Sequence, residues 1–81
     1  MEVKLFVRDG CPDCPQAFRA CAAATELSVC NLSDMAGVAE ASIWGVQSAP
    51  SVVVVNSDGH QLAAWRGTAP DVSELRAILA N

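Results

Sequence analysis

Cys11-Pro12-Asp13-Cys14 places two thiols at positions i and i+3 of the chain. Such a pair has two principal chemistries. It can open and close a small disulfide ring, or it can supply half of a four-ligand zinc site. The surroundings discriminate between them. An apolar run, Lys4-Leu5-Phe6-Val7, precedes the pair, and an alanine-rich helical stretch follows it. The order is strand, tight turn, helix, and a helix N-terminus beside a cysteine stabilises its thiolate. A zinc site built from Cys11, Cys14, Cys21 and Cys30 would lack the second close pair that such sites use.

Several elements must hold the pair in place. Residues 3–8 read as a strand with Val3, Leu5 and Val7 on one face and Phe6 on the other. Pro15 to about Ala24 reads as a helix, with Cys14, Phe18, Cys21 and Thr25 recurring at helical spacing. Glu26 to Leu32 forms a second strand, interrupted by Ser28 and Asn31. Ser33 or Asp34 caps a second helix through Met35, Val38, Ala39 and Ile43, weakened by Gly37 and ended by Gly45. Val52-Val53-Val54-Val55 is apolar on both faces and belongs in the middle of a sheet. Asn56-Ser57-Asp58-Gly59 turns the chain into an antiparallel strand from Gln61 to Arg66. Pro70 opens a last helix whose apolar positions are Val72, Leu75, Ile78 and Leu79. The string is β-α-β-α-β-β-α, an α/β layout with a mixed four-stranded sheet.

The bulk properties bound the function. At 81 residues, 52% of them hydrophobic, the chain suffices for one core, so a single domain over 1–81 is expected. A formal net charge of −4 with no basic cluster argues against nucleic acid and anionic membranes as partners. No stretch approaches the roughly 20 apolar residues that cross a bilayer. The opening Met1-Glu2-Val3-Lys4 lacks the layout of a signal peptide, which points to the cytoplasm. In that reducing compartment, two structural disulfides are disfavoured against one reactive pair plus two core thiols.

The element order with C-x-x-C after the first strand resembles the thioredoxin-fold family in its minimal, glutaredoxin-sized form. A second segment carries the resemblance separately. Ala41-Ser42-Ile43-Trp44-Gly45-Val46-Gln47-Ser48-Ala49-Pro50-Ser51, followed by four valines, looks like the stretch that ends in the family's cis-proline and enters its third strand. Both branches contribute features. Cys-Pro-x-Cys and a short N-terminus are glutaredoxin-like, and Arg8 stands where glutaredoxins usually carry a lysine. Leu5 occupies the place of the buried acid of thioredoxins, and Gly10 replaces the tryptophan before the first cysteine. The glutathione-contacting Gly-Gly and acidic pair has no clear counterpart in Arg66-Gly67-Thr68-Ala69-Pro70-Asp71. The chain resembles an atypical thioredoxin/glutaredoxin-like protein.

The resemblance implies roles for individual residues. Cys11 is the expected nucleophile and Cys14 the resolving thiol of a thiol–disulfide oxidoreductase acting on protein disulfides. Arg8 would favour the Cys11 thiolate, Asp13 (with Asp9) would oppose it, and Pro12 and Pro15 each remove a backbone N–H that could solvate it. The expectation is a moderately acidic thiol, toward the upper part of the roughly 3.5–7.5 range of activated cysteines. Pro50, in cis, and Ala49 would line a substrate groove together with Ser48, and Trp44 would either flank it or anchor the helix end. Cys21 and Cys30 read as core residues, Trp65 as packing, and His60 as an exposed turn residue. The electron donor implied is a thioredoxin reductase-like flavoenzyme, with glutathione as the alternative. No cofactor is expected and the chain reads as a monomer. From another class, a metal or iron–sulfur carrier using Cys11 in a dimer is the competing reading.

Overall fold

In the computed structural model, which describes residues 1–80, the chain runs β1 (Glu2–Val7), α1 (Cys14–Ala20), β2 (Leu27–Asn31), α2 (Met35–Ile43), β3 (Ser51–Val55), β4 (Gln61–Trp65) and α3 (Val72–Leu79). The strands lie in the order β2-β1-β3-β4. β1 is parallel to β2 and antiparallel to β3, and β3 is antiparallel to β4. The expected mixed four-stranded sheet is therefore present, with the tetravaline strand inside it. All of Ser51–Val55 is buried, as a strand with apolar side chains on both faces requires.

The two faces of the sheet make two cores. Val3, Leu5, Val7, Val52 and Val54 pack on one face against Cys14, Ala17 and Cys21 of the α1 segment and Leu75 of α3. Phe6, Val53 and Val55 pack on the other against Ala41 of α2 and Val46. Strand alternation delivers both sets from the same two strands.

Two sequence-based boundaries shift. α1 ends at Ala20 rather than near Ala24, with the N–H of Cys21 closing on the carbonyls of Ala17 and Phe18. Its buried stripe is Cys14, Ala17, Ala20 and Cys21, whereas Phe18 is exposed. The small side chains let the helix lie close on the sheet, and Ala22 and Ala23, both exposed, have nothing to bury. α3 begins at Val72, after Asp71, whose carboxylate accepts from the N–H of Glu74 while the Glu74 carboxylate accepts from the N–H of Asp71. This capping box, rather than Pro70, starts the helix. Within α3, Leu75 is buried but Val72 lies at the surface.

Gly37 acts differently from the weak point the sequence suggests. A Cβ built on it would collide with the backbone carbonyl of Asn31. Glycine is there because α2 lies directly on the end of β2, and the helix propensity it forfeits is smaller than the clash it avoids.

Candidate active site

The loop between β1 and α1 is built by side chains as well as by backbone. The N–H of Asp9 donates to Ser33 Oγ at 3.1 Å, Asn31 Nδ2 donates to Asp9 Oδ1 at 3.1 Å, and the N–H of Ser33 donates to Asn31 Oδ1 at 2.8 Å. Together they tie the loop to the end of β2. Gly10 then takes a left-handed conformation, φ 69°, which turns the chain into Cys11 at little steric cost. Asn31 and Ser33 are missed by sequence reasoning, where Asn31 reads only as a strand interruption and Ser33 as a helix cap. The polar residue at a strand end opposite the loop is the signal that could have found them.

Cys11 and Cys14 form a disulfide, their Cα atoms 5.4 Å apart, within the range this bond spans. The two sulfurs are not equivalent. Cys14 opens α1 and is 5% exposed, while Cys11 is only partly buried. Pro12 and Asp13 between them are exposed. Asp13 occupies the helix N-cap position, but its side chain makes no capping hydrogen bond.

The Ala49–Pro50 bond is cis, as the resemblance implies. Pro50 is buried, and Ala49 packs with Cys11 against the cluster that contains Cys14. Behind Pro50 stands Ser51, 0% exposed. Its hydroxyl donates to the Ser48 carbonyl at 2.7 Å and accepts from the N–H of Gly67 at 3.0 Å. One buried hydroxyl thus satisfies two backbone groups and joins the proline loop to the β4–α3 loop. Sequence reasoning sees Ser51 only as part of the proline segment.

These loops enclose a hollow of about 140 Å³. Asp13, Gln16 and Ala17 wall it on one side, Pro50 forms part of it, and Gly67–Pro70 close the other. Asp13 and Pro50, singled out separately in the sequence, meet here. Gln16 and the Gly67–Pro70 loop are additional members.

Of the other expected site residues, Trp44 and Arg8 do not line this hollow. Trp44 packs with the cluster of Phe6, Ala41, Val46 and Val53, across the sheet from the cysteine pair. Its indole N–H donates to Glu40 at 2.9 Å and the Lys4 ammonium sits 5.8 Å from its ring centroid. The expectation that Trp44 flanks the groove gives way to the helix-end anchor, because a large apolar ring at the end of α2 covers the open rim of the second core. Arg8 is exposed, its guanidinium donating to the Asp9 carbonyl at 3.4 Å. Arg66 donates to the Trp44 carbonyl at 2.7 Å and to Gln61 at 3.0 Å, so it braces an edge of the sheet. His60 is exposed in its turn.

Cys21 and Cys30 are free thiols. Burial pushes the Cys21 thiol up. Burial does the same for Cys30, with the charge of Glu40 adding to it. Cys21 belongs to the first core and Cys30 packs against the second. The four-cysteine zinc site therefore has its thiols on opposite faces of the sheet. Beside Cys30, Lys4 lies 3.4 Å from Glu2 and 3.2 Å from Glu40. Burial opposes the Lys4 charge, but the hydrogen bonds and charges of Glu40 and Glu2 outweigh it and hold its pKa above the ordinary lysine value. Glu40 is held below the usual carboxylate range by the Trp44 indole and by Lys4.

No family model matches the chain, and no curated protein matches it by sequence. Solved structures do. A thioredoxin from Thermus thermophilus shares 19% identity at a TM-score of 0.66, over 96% of this chain and 70% of that one. A thioredoxin-fold protein from Helicobacter pylori shares 19% identity at a TM-score of 0.73, over 96% of this chain but only 65% of its own length. The target protein XcR50 from X. campestris shares 30% identity at a TM-score of 0.61, over 96% of this chain and 95% of that one. With C-x-x-C at the strand–helix turn, a cis-proline leading into the third strand and these structural neighbours, the chain has the thioredoxin fold.

Proposed function

We propose that the protein is a thiol–disulfide oxidoreductase that reduces disulfides in other proteins. The observation that carries this is the asymmetry of the Cys11–Cys14 disulfide, with Cys11 only partly buried at the loop and Cys14 buried at the helix start. In the reduced state the Cys11 thiolate attacks one sulfur of a substrate disulfide, and the other leaves as a thiolate that takes up a proton. Cys14, losing its own proton, then attacks Cys11 in the mixed disulfide and releases the second substrate thiol. The balance is one protein dithiol and one substrate disulfide giving one protein disulfide and two substrate thiols.

The donor that restores the dithiol is a flavin-dependent disulfide reductase rather than glutathione. The loop Gly67–Pro70 carries a single glycine and no charged side chain, so it offers little to the carboxylates of a glutathione molecule. We also read the protein as a cytoplasmic monomer; among the described residues no helix is long and apolar enough to cross a membrane.

The test is insulin reduction by wild type and Cys11→Ser, with thioredoxin reductase plus NADPH or with glutathione plus glutathione reductase as donor. Activity lost in Cys11→Ser and supported by the flavoenzyme is the expected outcome. Full activity in Cys11→Ser would overturn the nucleophile assignment, and turnover with glutathione alone would reverse the donor. Bound iron or zinc after anaerobic purification, removed by Cys11→Ser, would favour the carrier reading instead.

A further inference from the structure

The charges around the hollow beside the cysteine pair are unequally balanced. Arg8 and Asp9 are neighbours on one loop and carry opposite charges, the guanidinium donating to the Asp9 backbone carbonyl. Arg19 and Asp71 together line the adjoining hollow, which shares Gln16 and Pro70 with the first. That hollow holds one charge of each sign, and the Asp71 carboxylate is already occupied by the Glu74 N–H and the Ser73 hydroxyl. Asp13 remains. It is the only charged residue in the wall of the first hollow. It is exposed, it makes no capping hydrogen bond, and among the described residues it has no ion-pair partner. It also lies between the two cysteines in the chain. The net charge of −4 adds a long-range field of the same sign.

Resting on the oxidoreductase reading above, we infer that Asp13 sets a substrate preference: the site takes disulfides flanked by cationic groups, such as basic peptide segments, and discriminates against anionic ones. A positive group beside the substrate disulfide gains Coulomb energy from an uncompensated carboxylate at the rim of the hollow. A negative group loses as much. No lysine or arginine lines that hollow. The chemistry is the exchange already described, in which the protein dithiol is the reductant and the substrate disulfide the oxidant.

The experiment uses the full chain, reduced with dithiothreitol and desalted. Second-order rate constants are measured against cystamine (cationic), bis(2-hydroxyethyl) disulfide (neutral) and 3,3′-dithiodipropionate (anionic), for wild type and Asp13→Asn, at low and high salt. Because Asp13 also repels the Cys11 thiolate, Asp13→Asn alters general reactivity, which the neutral disulfide reports. That common factor cancels in the cationic-to-anionic ratio. The ratio is expected to fall about three- to tenfold in Asp13→Asn, and the wild-type ratio to shrink in high salt. An unchanged ratio in Asp13→Asn, with all three disulfides still reduced, overturns the inference and leaves the oxidoreductase reading standing. Failure of wild type to reduce any of the three overturns both.

Discussion

At the scale of single residues, the candidate site depends on a division of labour between two sulfurs, and each half can be tested. Cys14→Ser keeps the accessible thiol but removes the buried one, so it is expected to accumulate a mixed disulfide with substrate through Cys11. Mass spectrometry under non-reducing conditions checks this, and a variant that turned over normally would show that Cys14 does not resolve. Asp13→Asn removes a like charge beside the pair, so its reduced form should react with iodoacetamide at lower pH than wild type. Ser51 has a structural consequence instead. Ser51→Ala leaves the Gly67 N–H and the Ser48 carbonyl without the partner they have now, and should cost about 1–3 kcal/mol in urea unfolding. The cysteines and Pro50 are readable in sequence because their chemistry is tied to residue type and local order. Ser51 is not, because a serine at a strand start is ordinary until the loop that it holds is known.

The elements contribute by where they end. β1 stops at Val7 and β2 at Asn31, and the Asp9–Asn31–Ser33 network makes those two ends one platform for the cysteine loop. α2 bears down on the same platform through Gly37. Glycine to alanine in a helix interior ordinarily gains about 0.5–1 kcal/mol. At Gly37 the added methyl would meet the Asn31 carbonyl, so Gly37→Ala should reverse that sign and destabilise by about 1–3 kcal/mol or more. Thermal unfolding decides between them, and a raised Tm would mean that α2 does not press on β2 in this way. The heptad-like recurrence of Cys14, Phe18 and Cys21 in the sequence suggests one apolar face, yet Phe18 is exposed. Periodicity identifies a helix but not which arc of it meets the sheet. For α1 the small residues Ala17 and Ala20 take that position, since close approach favours them over a phenyl ring.

Over the whole molecule, two cores share one sheet, and charge is distributed around them unevenly. Glu40 is held below the usual carboxylate range by Trp44 and Lys4, and Asp71 is lowered by the Glu74 N–H and the Ser73 hydroxyl. A carboxyl lowered on folding stabilises fully above its unfolded pKa, and that contribution is lost as pH falls through the folded value. Stability should therefore decline in acid, at and below about pH 4, and less steeply in Glu40→Gln, as measured by urea unfolding across that range. Lys4 has the opposite sign. Its raised pKa stabilises below the ordinary lysine value and is lost as pH climbs past it. Sequence alone determined the element order, the tetravaline strand at the centre of the sheet and the redox-capable pair at a strand–helix turn. Each of these follows from local periodicity, turn chemistry and residue type, which neighbours in sequence are enough to express. Only the tertiary structure decided that Trp44 anchors the far core, that Asn31, Ser33 and Ser51 hold the loops of the site, and that Asp13 is left as the uncompensated charge beside its hollow. Those depend on which groups from distant segments meet, and a side chain's partners across a fold leave no trace in its own stretch of chain.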